Sequence, residues 1–315
     1  YKAWLGYGDR AAAVQLALIL LAIVGALLWL EARVRGRRRF HGRSVPARPL
    51  APVALRGARA WACTMACALP VVLGFFLPLG ALVHVALRDA ETHQWARYGK
   101  AAWATFSTAG IAAVVIVLVA WMLAYGARTV NTRTFRALVR VAALGYGVPG
   151  AVLAIAILIP LARFDNLLDA GVEAWFGVDL GLLLTGSVTA LVYAYVVRFL
   201  AVGLSGTEAG FGRISVHVDE AARSLGATGL ELARRVHLPL LWRTFLVAGL
   251  LVFVDALKEL PATLALRPFD FETLATLAYQ YARDERVGEA AVPSLVVVAV
   301  AVVPTLLVTR VVARR

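Results

Sequence analysis

The chain has 315 residues, of which 61% are hydrophobic and only 16% charged, with a mean hydropathy of +0.77. Soluble domains run at about 45–50% apolar and about 25% charged, and a soluble globule of this length could not hide so much apolar side chain. A soluble enzyme, a coiled coil, a collagen and a disordered chain are therefore excluded, and the net charge of +13 reads as basic loops facing an anionic cytoplasmic leaflet, not as a nucleic-acid surface.

A bilayer core about 30 Å thick takes roughly 20 helical residues at about 1.5 Å each. In chain order, seven stretches qualify: about 11–30, 61–87, 104–125, 139–162, 181–204, 241–261 and 290–310. The expected fold is all-α, a polytopic membrane helix bundle. Between the first two spans, 31–60 holds Arg33, Arg35, Arg37, Arg38, Arg39, Arg43, Arg48, Arg56 and Arg59, so it is expected in the cytoplasm. Alternation then places the arginine-bearing loops 126–138 and 205–240 inside. The acidic segments 163–180 (Asp165, Asp169, Glu173, Asp179) and 262–289 (Asp270, Glu272, Asp284, Glu285, Glu289) fall outside. The N-terminus is then periplasmic and the C-terminus cytoplasmic.

Tyr1 is not a methionine, and no signal peptide precedes it. Residues 1–37 also slide without a gap onto 279–315, where Tyr1 meets Tyr279, Ala12-Ala13-Val14 meets Ala290-Ala291-Val292 and Arg37 meets Arg315. Parallel repeats are common in transporters. The expected organisation is 1–30 as the last span of an upstream unit, 31–60 as a basic cytoplasmic linker, and 61–315 as a complete six-span unit. Cys63 and Cys67, one turn apart, read as small helix-packing residues, with no disulfide framework or zinc spacing.

The segment 205–240 is the longest cytoplasmic loop of that unit. Residues 216–225 favour helix, and Gly226 can supply the positive-φ turn that ends it. Thr228 and Glu231 form a capping box for a second short helix, which presents Leu230, Ala233 and Val236 at helical spacing, and Pro239 leads into the next span. A helix–glycine–helix with an apolar stripe and arginines is either a protein-docking element or an amphipathic loop at the lipid surface.

Glu220-Ala221-Ala222, three residues, Gly226, nine residues, then Val236-His237-Leu238-Pro239 resembles the EAA loop of ABC importer permeases, with Val236 in place of an isoleucine. The resemblance implies a type I importer transmembrane domain. It also implies that Glu220, Ala221, Ala222, Gly226, Leu238 and Pro239 couple to an ABC ATPase subunit dimer. Residues 253–264, 267–275 and Gly145-Tyr146-Gly147-Val148-Pro149-Gly150 resemble the ferric-iron-type permeases, often two fused six-span units. Thiamine and phosphonate permeases share much of this pattern, so those substrates stay open. A periplasmic solute-binding protein is implied, together with an upstream permease unit or a second copy of this chain, in the bacterial inner membrane.

Asp255, Lys258 and Glu259 fall at i, i+3 and i+4 near the outer end of their span, so all three are expected on one face, lining a path or gate or anchoring at the interface. Pro149 in span 139–162 is expected to kink it near the gate, or the surrounding glycines simply pack closely. Arg198 is expected to snorkel from the cytoplasmic end of its span. His84, His93, His217 and His237 show no metal-ligand spacing, and no metal site or cofactor is expected. The sequence has no G-x-x-x-x-G-K-[ST], G-x-S-x-G or H-E-x-x-H, so the chain is expected to be a transport subunit energised by a partner, not an enzyme. An ion-coupled secondary transporter is the competing class, and it would want several buried acids at mid-membrane.

Overall fold

The computed structural model describes residues 10–35, 54–130, 132–178, 181 and 183–313, and among them the only regular structure is helical. Among the described residues, six helices are long and apolar enough to cross a membrane. In chain order these are α2 (Gly57–Arg88), α3 (Trp95–Val130), α5 (Gly150–Phe176), α6 (Val188–Phe211), α8 (Gly229–Leu257) and α11 (Val287–Ala313). A further helix, α1 (Arg10–Arg35), covers the stretch expected as the first span. Most of the 31–60 linker and both ends of the proposed repeat lie outside the described residues.

Short helices fill the connections. α4 (Arg133–Ala142) is amphipathic and leads through a 3-10 turn at Ala143–Gly147 into α5. α7 (Val216–Ser224) lies between α6 and α8. α9 (Pro261–Leu266) and α10 (Leu274–Arg283) lie between α8 and α11.

The centre of the bundle is α3, α6 and α8, which pack on one another. Lipid tails are as apolar as leucine, so close approach of small residues holds membrane helices together. α3 buries Ala109, Ala112, Ala113, Ala120 and Ala124 against this seam, while Val114, Leu118 and Met122 face outward. On α6, a Cβ at Gly203 would lie 2.7 Å from Ile116 of α3, and one at Gly206 2.9 Å from Ala248 of α8. α10 and α11 form a second cluster with α2 and the start of α3, around Leu274, Leu277, Tyr281 and Ala291.

Several boundaries differ from expectation. The helix expected at 139–162 starts later: α5 begins at Gly150, and Pro149 is its N-cap (φ −56°, ψ 134°). Pro149 therefore kinks nothing, because a proline ring at a helix start obstructs no preceding turn. The loop expected at 163–180 is mostly helix, since α5 runs to Phe176. Asp165 is buried there, and its carboxylate accepts from the backbone N–H of Leu184 (3.0 Å) and Thr185 (2.5 Å). Cys63 and Cys67 are exposed rather than packed, on the stretch Gly57–Phe76 of α2 that buries no side chain.

Candidate functional site: an exposed helix and two helix breaks

At one end of the bundle, α7 and the turn after it form a short exposed element. Ser215 accepts from His217 N and caps α7. Gly226 has φ 88°, the left-handed conformation that a Cβ disfavours. Thr228 and Glu231 form the reciprocal capping box that starts α8. The first turns of α8 include a π-helical segment, Leu232–His237, and continue without interruption into the span, so Pro239 sits within the opening turn of its α-helical part.

The exposed surface here is mixed. Val216, Leu225 (89% exposed) and Leu230 (77%) project outward, beside Glu220, whose carboxylate lies 3.0 Å from His217 Nδ1. The expected stripe of Leu230, Ala233 and Val236 does not exist as one face: Leu230 points out while Ala233 is buried. The π-turn rotates the residues after Glu231 away from ideal α-helical register.

The inner side of α7 rests on one carboxylate. Asp219 is the only buried residue of α7 (4% exposed). Arg128, near the end of α3, donates to it from Nε (2.7 Å) and Nη2 (3.2 Å), and also to the carbonyls of Phe211 and Ile214. His237 Nε2 lies 2.9 Å from Asp219 Oδ1, and because an ionised carboxylate only accepts, Nε2 is the donor. Burial pushes the Asp219 carboxyl up, but the Arg128 and His237 hydrogen bonds outweigh it and hold the group below the usual carboxylate range. His237 is fully buried, with its ring edge-on to Phe211 and Tyr125. None of these partners is evident from spacing.

Deeper in the bundle, the three charges expected on one face part company. α8 ends at Leu257. Asp255 pairs with Lys258 (2.9 Å), whose side chain is exposed. Glu259 lies past the helix end, is 6% exposed, and accepts from Arg198 Nε at 2.9 Å and from Ala262 N at 3.1 Å. Arg198 does not snorkel. α6 extends to Phe211, so Arg198 sits near the middle of that helix, where it also donates to the carbonyl of Val148 at 2.8 Å. One ion pair thus ties together two places where the helical framework is interrupted: residues 143–149 before α5, and 258–260 before α9. The interruption at 143–149 packs so closely that a Cβ on Gly145 would overlap the Val197 carbonyl, and one on Gly150 would lie 2.6 Å from Glu259 Oε1.

At the opposite end of α3, Arg97 donates to Glu272 from Nε (2.8 Å) and Nη2 (2.6 Å) and lies over the Tyr281 ring. The hydrogen bond from Arg97 holds the Glu272 carboxyl below its ordinary value. Among the described residues, no group of three or more His, Cys, Asp or Glu is placed to hold a metal ion.

Residues 116–315 match the family model described as the binding-protein-dependent transport system inner membrane component. A curated relative is the Fe(3+)-transport system permease protein FbpB 2 of Haemophilus influenzae, 23% identical over 206 residues, 65% of this chain; the chain spans 38% of that relative's length. Two solved structures share the fold at 15% identity. One is a bacterial ABC transporter involved in import of the acidic polysaccharide alginate (TM-score 0.59, covering 81% of this chain and 95% of that one). The other is a bacterial alginate ABC transporter in complex with alginate pentasaccharide-bound periplasmic protein (TM-score 0.56, 79% and 91%).

Proposed function

This chain belongs to the family of binding-protein-dependent transport system inner membrane components, the permeases of ABC importers, and from that premise we propose that it forms one side of a translocation path for ferric iron and couples it to a separate ATPase. The family places the chain in the inner membrane as a multi-pass protein. The observation that carries the coupling role is the exposed element around Glu220, Ala221, Ala222 and Gly226, whose apolar Val216 and Leu225 have no partner in the bundle, a pattern that marks an interaction surface.

In this reading the end bearing α7 is cytoplasmic and meets an ABC ATPase dimer, while the end bearing α9 and α10 is periplasmic and meets a solute-binding protein. ATP-driven closure of the ATPase pair moves α7 and reorients the permease units about a central path. Residues 61–315 are the six-span unit and 1–30 the last span of a unit upstream on the same polypeptide. Asp255, Lys258 and Glu259 are path or gate candidates, supported by their position at the helix break, since intramembrane charge is costly and usually faces a bundle interior or a water-filled cavity. Pro149 lies at the adjoining break, where its contribution is to start α5.

The iron assignment is supported by the Haemophilus relative and by the segments 145–150 and 253–275. Its test is uptake by proteoliposomes holding the full-length permease, its ATPase and its binding protein. ATP-dependent accumulation of ferric ion, and not of thiamine or a phosphonate, is expected. Accumulation of thiamine or a phosphonate instead would overturn the substrate while leaving the family unaffected.

A further inference from the structure

We propose that the Arg128–Asp219–His237 cluster is the joint that carries movement of α7 into the bundle, so that Asp219 is a positioning residue for transport and not part of the docking surface. The proposal rests on the coupling role assigned above and names the residues that perform it.

A helix that transmits force must be held by something that does not slide. The attachment of α7 is polar: of its nine residues only Asp219 is buried. That carboxylate is gripped from two directions. Arg128 approaches from α3 with two nitrogens, and paired guanidinium–carboxylate bonds fix orientation as well as distance. His237 approaches from α8. Arg128 also donates to the Phe211 carbonyl at the end of α6 (2.9 Å), which accepts from Ile214 N as well, and lies over the Phe211 ring. α3 and α8 therefore converge directly on one side chain of α7, and α6 joins them through Arg128. Tyr125 adds a fourth tie by donating to the Gly229 carbonyl at the start of α8.

Two of these helices meet again deeper in the bundle. α6 runs from the joint at Phe211 back to Arg198, and α8 runs from His237 to the break before Glu259; Arg198 and Glu259 are paired. At about 1.5 Å per residue these paths are roughly 20 and 30 Å long. α6 and α8 are thus tied at both ends, at the joint through Arg128 and Asp219 and at the break by the Arg198–Glu259 pair. Displacement of α7 is delivered to the break through continuous helix.

The test uses the full-length permease purified with its ATPase and reconstituted with its binding protein, reading three quantities: ATPase recovered per permease, ATP hydrolysis and substrate uptake. Asp219→Asn and His237→Ala should each recruit ATPase within twofold of wild type and keep hydrolysing ATP, while uptake falls at least tenfold. His237→Gln, which retains a side-chain N–H, should restore uptake to at least half. A variant that assembles and uncouples in this way, with neither variant at wild-type uptake, supports the joint. Wild-type uptake by either variant overturns it, and so does failure of both to insert and recruit ATPase, which would make the cluster a folding anchor. A wild-type permease that recruits no ATPase would overturn the functional reading itself, and with it the joint, before any variant is compared.

Discussion

Arg198 Nε donates to Glu259 Oε2 at 2.9 Å, closing 61 positions of sequence inside the bundle. Removing one partner of a buried pair strands the other charge at a cost of about 3–5 kcal/mol, whereas replacing both by apolar groups is often neutral. Glu259→Gln should therefore lower yield and melting temperature sharply in detergent. The double variant Arg198→Met with Glu259→Leu should regain much of the stability yet transport poorly, if charge at this break serves passage. Uptake equal to wild type by the stable double variant would reduce the pair to a structural tie.

Gly226→Asp should abolish uptake while the protein still inserts. Gly226 has φ 88° and open space where a Cβ would point, so the cost is backbone strain of about 1–3 kcal/mol and not a clash. The added charge lies beside the exposed residues Glu220 and Leu225. Gly226→Ala, with strain alone, should retain part of the activity. Membrane insertion by immunoblot and uptake by radiotracer separate the two effects, and normal uptake by the aspartate variant would refute the role of this turn.

Gly145→Ala and Gly80→Ala should behave oppositely. The new methyl at 145 meets the Val197 carbonyl, a backbone atom that cannot rotate away, and over-packing costs about 1–3 kcal/mol. At Gly80 nothing lies within 4 Å, and replacing glycine inside a helix by alanine gains about 0.5–1 kcal/mol. Melting temperatures in detergent should fall for the first and hold or rise for the second.

Much of this architecture was legible before any coordinates. The helix spans, the capping box at Thr228, the turn at Gly226 and the membrane class all follow from hydropathy and local chemistry, which act over a few residues. Ties over long separations were not. Arg198 looked like a snorkelling residue because span 181–204 was drawn too short; with α6 ending at Phe211 it lies mid-helix and must find Glu259. Asp255, Lys258 and Glu259 looked like one face because helical periodicity was extended past Leu257, where the helix stops before Pro261. By hydropathy alone Pro149 falls within a span and reads as a kink, yet it starts α5. His237, left without a role, faces Asp219 across 18 positions, and no periodicity joins them.

Glu272 should contribute to acid sensitivity at the α10 end. Its carboxyl is held below the ordinary value by Arg97 in the folded protein, so its contribution is present above the unfolded pKa of about 4.3 and is lost as pH falls through the folded value. Melting temperature should drop as pH is lowered through and below about 4.3. Glu272→Gln should melt lower than wild type at pH 7 and show a shallower acid slope, read by thermal scans from pH 7 downward. An unchanged slope would mean that the Arg97 pair does not persist in solution.

If the exposed element around Glu220 and Leu225 meets the ATPase, photo-crosslinking from a single site will report it. A photoreactive residue placed at Leu225, 89% exposed, should crosslink the co-expressed ATPase in native membranes. The same group at Leu118 of α3, exposed midway along a membrane-spanning helix, should not. A Leu225 probe that yields no ATPase adduct in membranes where the ATPase co-purifies with the permease would contradict the account.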